Sequence, residues 1–180
     1  MNYVRTVLSI ISIVCIVGCS GVYSTRPVGE KPHLLTPTDW EGTWIHSEGA
    51  VTMRVIDAGK GVLEVAWLEK KLDGLALESY KVYLRESGDW LFGNLENPDR
   101  PQHYLWGRVK REEGQLILWI PDLSKFTDLV KKGVLPGKVE ESGDVVLDNV
   151  TAAHLKLIKS DTHGSMFQWE NPITGIRLSK

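Results

Sequence analysis

The chain's only two thiols, Cys15 and Cys19, both lie before residue 20. A thiol can serve as nucleophile, metal ligand or half of a disulfide, so from Ser20 onward none of these chemistries is open through sulfur. The histidines His33, His46, His103, His154 and His163 are scattered, with no i,i+4 pair and no carboxylate at metal-ligand spacing. His163-Gly164-Ser165 sets an imidazole near a hydroxyl. The G-x-S-x-G elbow that presents a catalytic serine is absent, however, and the turn residues around this triplet predict a loop. Glu112-Glu113 and Glu140-Glu141 stand beside glycine turns, which predicts solvated hairpin tips rather than an acid–base pair. No glycine-rich phosphate loop is present. These residue types and spacings predict a protein that is not an enzyme and holds no cofactor and no metal.

The one reactive position with a context of its own is Cys19. A single basic residue, Arg5, leads into an apolar run over residues 6–17, diluted by Ser9 and Ser12. A bilayer span needs roughly 20 apolar residues, so this run fits the h-region of a signal peptide better than a membrane anchor. It closes on Ile16-Val17-Gly18-Cys19, which resembles the lipobox of bacterial lipoproteins. That resemblance implies cleavage between Gly18 and Cys19, lipidation of Cys19 (thioether-linked lipid and palmitate), and attachment to a membrane through the lipid. Ser20 follows the cysteine where an aspartate would imply retention at the inner membrane, so the resemblance implies an outer-membrane lipoprotein facing the periplasm. An ordinary secretory signal that happens to contain a cysteine is the alternative.

Removal of residues 1–18 leaves one domain's length of chain. The sequence of 180 residues carries 21 Lys and Arg against 23 Asp and Glu, a near balance with no electrostatic footprint for nucleic acid. No segment identifies a protein partner. Residues 19–38 hold Pro27, Pro32 and Pro37 without sustained periodicity, which predicts a lipidated N-terminus and a flexible tether. Residues 39–180 form the predicted globular domain.

Its texture is that of strands. Val51, Met53 and Val55 alternate with polar residues, as do Leu63, Val65 and Trp67 after the turn Asp57-Ala58-Gly59-Lys60-Gly61. Tyr80, Val82 and Leu84 turn at Ser87-Gly88-Asp89 into Trp90-Leu91-Phe92, and residues 104–110 turn at Glu112-Glu113-Gly114 into 115–120. Successive hairpins of this kind predict a mainly β, antiparallel up-and-down sheet or small barrel. Leu123, Phe126, Leu129 and Val130, between Asp122 and Gly133, predict a helix over about 123–132. Residues 151–160 read as a helix capped by Thr151, although Leu155-Lys156-Leu157 also alternates like a strand. Phe167-Gln168-Trp169 and Ile176-Arg177-Leu178 read as short closing strands.

Gly42-Thr43-Trp44 opens the first long strand and resembles the G-x-W signature of lipocalins and related calycin barrels. That resemblance implies an eight-stranded barrel whose base the tryptophan closes, with a late arginine, here Arg177, stacked over it. The family's second motif, a T-D-Y turn, has no counterpart; Thr127-Asp128-Leu129 falls inside the predicted helix. Seven tryptophans are a high load for one domain, and most fall on predicted strands. They are either core, as the alternation favours, or the lining of a cavity for an apolar ligand, with Trp44, Trp67, Trp106 and Trp119 as candidate contacts. The expected function is a non-catalytic accessory or scaffold of the envelope, with a lipocalin-like carrier of lipid or another small apolar molecule as the alternative.

Overall fold

The computed structural model describes residues 20–47, 49–71, 74–160, 162 and 164–178. The apolar leader, Gly18 and Cys19 lie outside the described residues, as does His163. The chain forms β1 (Val22–Ser24), β2 (Lys31–Pro32), α1 (Pro37–Trp40), β3 (Gly42–His46), β4 (Gly49–Asp57), β5 (Val62–Lys71), β6 (Gly74–Ser87), β7 (Trp90–Glu96), β8 (Tyr104–Glu112) and β9 (Gln115–Trp119). There follow α2 (Leu123–Lys131), β10 (Gly137–Val139), β11 (Val145–Leu147), α3 (Ala152–Ile158) and β12 (Ile173–Arg177). Strands β3 to β9 pair antiparallel with their sequence neighbours, β12 joins β9 to β3, and the ring closes as an eight-stranded antiparallel barrel.

Short turns enforce this meander, because two-residue and glycine-rich connections bring a strand back beside its predecessor. Gly61 illustrates the constraint. Its φ is +68°, and a Cβ there would lie 2.4 Å from the Leu84 carbonyl oxygen and 2.8 Å from that of His33. Inside the ring, Trp44, Met53, Leu63, Leu84 and Val109 are buried together. Leu35 and Trp40 on and before α1 join that cluster and plug the end of the barrel where β3 begins.

Closure has a branch point in β8. Arg108 to Glu112 pair with β9, whereas Tyr104 and Leu105 pair with β1. Between them lies Gly107, where a Cβ would approach the Trp119 carbonyl oxygen to 2.7 Å, so only glycine lets β9 end this close to β8. Beyond the branch, β1 runs parallel to β11, which pairs with β10, and the three make a small annex to the barrel wall.

The annex and two helices cover the outside of β7 to β9. Outward-facing Phe92 and Trp106 pack with Phe126 and Leu129 of α2, Leu155 and Ile158 of α3, and Val145 and Leu147 of β11 in a second core. Helix α2 starts where expected, with the Asp122 side chain accepting from the Lys125 amide at 3.1 Å. Helix α3 resolves the open reading at 151–160. The Thr151 side chain accepts from the His154 amide, and His154 Nδ1 accepts from the Thr151 amide at 3.1 Å. The expected strand at 167–169 does not form; Phe167 makes a single bridge to Pro121 and turns inward instead.

Residues 20–38 differ most from expectation. They are built into the domain, not strung out as a tether. Val22 and Val28 are buried in the outer core, and the amides of Thr25, Glu30 and His33 donate to carbonyls of Leu147, Glu86 and Leu84. Asn94, fully buried, acts as a substitute strand edge: its Oδ1 accepts from the Val28 amide at 2.6 Å, and its Nδ2 donates to the Val28 and Tyr83 carbonyls at 3.1 and 3.0 Å. Proline content weakens strand propensity, but these side-chain partners lie far along the chain and leave no local trace in the sequence.

Asn94→Ala orphans buried backbone groups, and each such loss costs about 1–3 kcal/mol. The variant should therefore unfold at lower urea with an unchanged slope; a midpoint equal to that of the parent chain would contradict the clamp. A second expectation concerns alkaline pH. Burial first, and then the acceptor Glu96 at 3.1 Å, push the Tyr83 phenol up from 10.0 to about 12. The folded state favours the neutral phenol, so this contribution is complete below pH 10 and lost as pH rises through about 12. Tyr83→Phe should flatten that decline in stability between those two values.

Candidate functional site

The barrel wall divides the four candidate tryptophans between two places. Trp44 is 1% exposed inside the barrel, and its indole donates to the Trp40 carbonyl at 3.2 Å. The Arg177 guanidinium lies 5.7 Å from the Trp44 ring centre and donates to the carbonyls of Thr38 and Glu41. Strand β12 thus delivers an arginine that ties α1, β3 and the buried indole together at the plugged end. Trp67 also points inward, paired with Val51 on β4, and its ring sits 4.5 Å from that of His46. Around it, towards the other end, the inward-facing Val51, Val65, Val82, Leu95 and Leu105 are only half-buried.

Trp106 and Trp119 face the other way. Trp106 is buried in the outer core, edge-on to Phe126 at 5.5 Å and to Phe92 and Phe167 at 6.0 Å. Trp119 stands 5.3 Å from Trp169 at the margin of that core. A single cavity lined by all four is therefore not what the fold builds. Alternation along each strand was legible in the sequence; which face of which strand met the barrel interior was not, because on β7 to β9 both faces are apolar.

At the outer margin the fold assembles a site that sequence reasoning missed. Arg108 on β8 faces outward between Phe92 on β7 and Trp119 on β9. Its guanidinium carbon lies 4.0 Å from the Trp90 ring centre, 5.0 Å from Trp169 and 5.3 Å from Trp119. Trp90, Arg108 and Trp169, together with Lys159, Ser160 and Phe167, line an open cleft of about 320 Å³. Burial pushes the Arg108 guanidinium down from its ordinary value, opposed by the charge of Asp89. Lys159 reaches from the end of α3 and donates to Ser87 Oγ and the Ser87 carbonyl, both at 3.0 Å. The one local signal was Arg108 itself, a cation two residues from Trp106 on a face that otherwise reads as core. Its partner Trp169 arrives from an irregular segment that no periodicity announces.

Among the described residues no group of three His, Cys, Asp or Glu side chains is placed to hold a metal, and no helix is long and apolar enough to cross a membrane. The fold and these sites define a closed eight-stranded barrel with one end plugged by an arginine-latched tryptophan and an aromatic layer outside its wall. No family model, curated protein or solved structure matches the chain.

The latch gives a direct test. Trp44→Ala should cost about 3–5 kcal/mol in urea unfolding, the usual range for removing a fully buried large aromatic. A loss within about 0.5 kcal/mol, typical of surface changes, would contradict its place at the base of the barrel.

Proposed function

We propose that this chain is a lipid-anchored protein of the bacterial envelope, held at the outer membrane and facing the periplasm, whose barrel domain works as a non-catalytic accessory or scaffold. The observation that carries the reading is the apolar run 6–17 closing on Gly18-Cys19. The start of the folded domain bears on it. Ser20 Oγ already donates to the Ser142 carbonyl at 2.7 Å, and the Gly21 amide to Asp144 Oδ1 at 2.9 Å. A lipid on Cys19 would therefore be joined to the domain without a spacer. The annex edge formed by β1 and the 140–144 turn would sit at the headgroups, and several acyl chains at about 0.8 kcal/mol per buried methylene would hold it there. A scaffold fixed this way presents a defined face to the periplasm.

A second reading, a carrier of lipid or another small apolar ligand, is favoured by one observation. The half-buried inward side chains Val51, Val65, Trp67, Val82, Leu95 and Leu105 line the end of the barrel away from α1. The Gly42-x-Trp44 and Arg177 pairing at the plugged end supports the lipocalin-like version of that reading.

Growth with radioactive palmitate tests the anchor: the parent chain should incorporate label, and Cys19→Ala should lose it and remain as precursor at the inner membrane. Normal incorporation into the variant would overturn the assignment. For the carrier, a fatty-acid probe should quench tryptophan fluorescence saturably in the parent chain and much less in Trp67→Phe. Quenching without saturation would leave the scaffold as the reading.

A further inference from the structure

The outer cleft carries an assignment independent of anchor and carrier. A guanidinium offers five N–H donors, and burial normally demands that such donors be paired. For Arg108 none meets an acceptor among the described residues; its neighbours are the three indole rings and the more distant charge of Asp89. Stacking on aromatic faces satisfies the flat surface of a guanidinium while leaving its edge, where the N–H groups lie, for a planar acceptor. That edge borders an open cleft. Nearby, Lys159 gives two hydrogen bonds to Ser87 and retains donor capacity. Two cations without a carboxylate partner thus share one cleft with half-buried indoles. Elsewhere in the protein, cations of comparable burial are paired: Arg100 with Glu140 and Asp144, and Arg85 with the carbonyls of Gly29 and Glu30.

We propose that this cleft binds a carboxylate carried on a ring, the carboxylate accepted by the edge of Arg108 with help from Lys159 and the ring laid against Trp90 and Trp169. The geometry selects the class. Carboxylate matches the guanidinium fork with two parallel hydrogen bonds, and a volume of about 320 Å³ suits a single ring with its outer side in water. A sugar acid and an aromatic acid share this chemistry, and both can lie on an indole. Asp89, exposed on the turn before β7, opposes the anion through its own charge, which makes it a built-in reporter: neutralising it should tighten binding without touching the core.

The test is titration of the purified full-length chain at low salt, followed by tryptophan fluorescence, with glucuronate, benzoate, glucose and inorganic phosphate as separate probes. Saturable change with glucuronate or benzoate at about millimolar concentration, and none with glucose, is the expected result; which acid responds identifies the source of the ring. Asp89→Asn should bind the responding acid about two- to fivefold more tightly, the scale of an exposed charge pair. Arg108→Gln should bind it at least about tenfold more weakly, as for a lost charge-assisted hydrogen bond. Lys159→Gln should show a smaller loss, and circular dichroism reports whether each variant is folded. Should Arg108→Gln fail to fold, the parent chain and Asp89→Asn still decide. No saturable response to either acid, a response to phosphate alone, unchanged affinity in folded Arg108→Gln, or no tightening in Asp89→Asn would each overturn the proposal.

Discussion

The barrel wall from β7 to β9 is apolar on both faces, and the rest of the molecule is arranged around that constraint. Leu91, Val109, Leu116 and Leu118 point into the barrel, while Phe92, Trp106 and Trp119 point out of it. An antiparallel wall ordinarily leaves one face to water. Here each large aromatic on the outer face removes roughly 150–250 Å² from water once covered, at about 25 cal/mol per Å², so an uncovered wall would forgo several kcal/mol per ring. The two helices, the annex and the segment around Phe167 are the cover. Apart from β1, they come from the long connection between β9 and β12, the only barrel strands adjacent in the ring but distant in sequence apart from β3 and β12. Arg108 is a charge on that face at the margin of the cover, held there by indoles in place of a carboxylate.

The same constraint explains the N-terminal segment. Val22 and Val28 complete the outer core, and that core can keep them only if the backbone polar groups beside them are paired. Asn94 supplies pairing for Val28, and β11 supplies it for β1. Arg100 then pins the loop after β7 to the annex through Glu140 at 2.7 Å and Asp144 at 3.2 Å, with its guanidinium over the Tyr23 ring. Residues 20–38 are thus held by bonds whose partners lie from Ala58 to Asp148, so the domain is fastened at its N-terminal edge by long-range contacts. This bears directly on how a lipid at Cys19 would hold it.

What could be read in the sequence was whatever depends on neighbours. The hairpins β4–β5 and β6–β7, the helix opened by Asp122 and the Thr151 cap all arise from contacts a few residues apart, and period-two alternation with glycine turns announced the antiparallel barrel strands. Gly42-x-Trp44 and Arg177 were legible as a pair through resemblance to a known barrel, and the two side chains do meet. The tether was misread because Pro27, Pro32 and Pro37 look like a linker when the clamps at Asn94 and Arg85 are out of view. The aromatic cleft was invisible for a similar reason: pairing of β7, β8 and β9 sets Trp90, Arg108 and Trp119 side by side, but Trp169 reaches them only from the distant irregular segment bridged at Pro121 and Phe167.

The central claim, that residues from 20 onward form one unit fastened around a wall buried on both faces, is tested most directly by native-state amide hydrogen exchange. The amides of Thr25, Val28, Glu30 and His33, which donate to Leu147, Asn94, Glu86 and Leu84, should be protected to within an order of magnitude of the amides of β7 and β8. Exchange of these four at the rate of an unstructured peptide, with β7 and β8 still protected, would contradict the account and restore the segment to a tether.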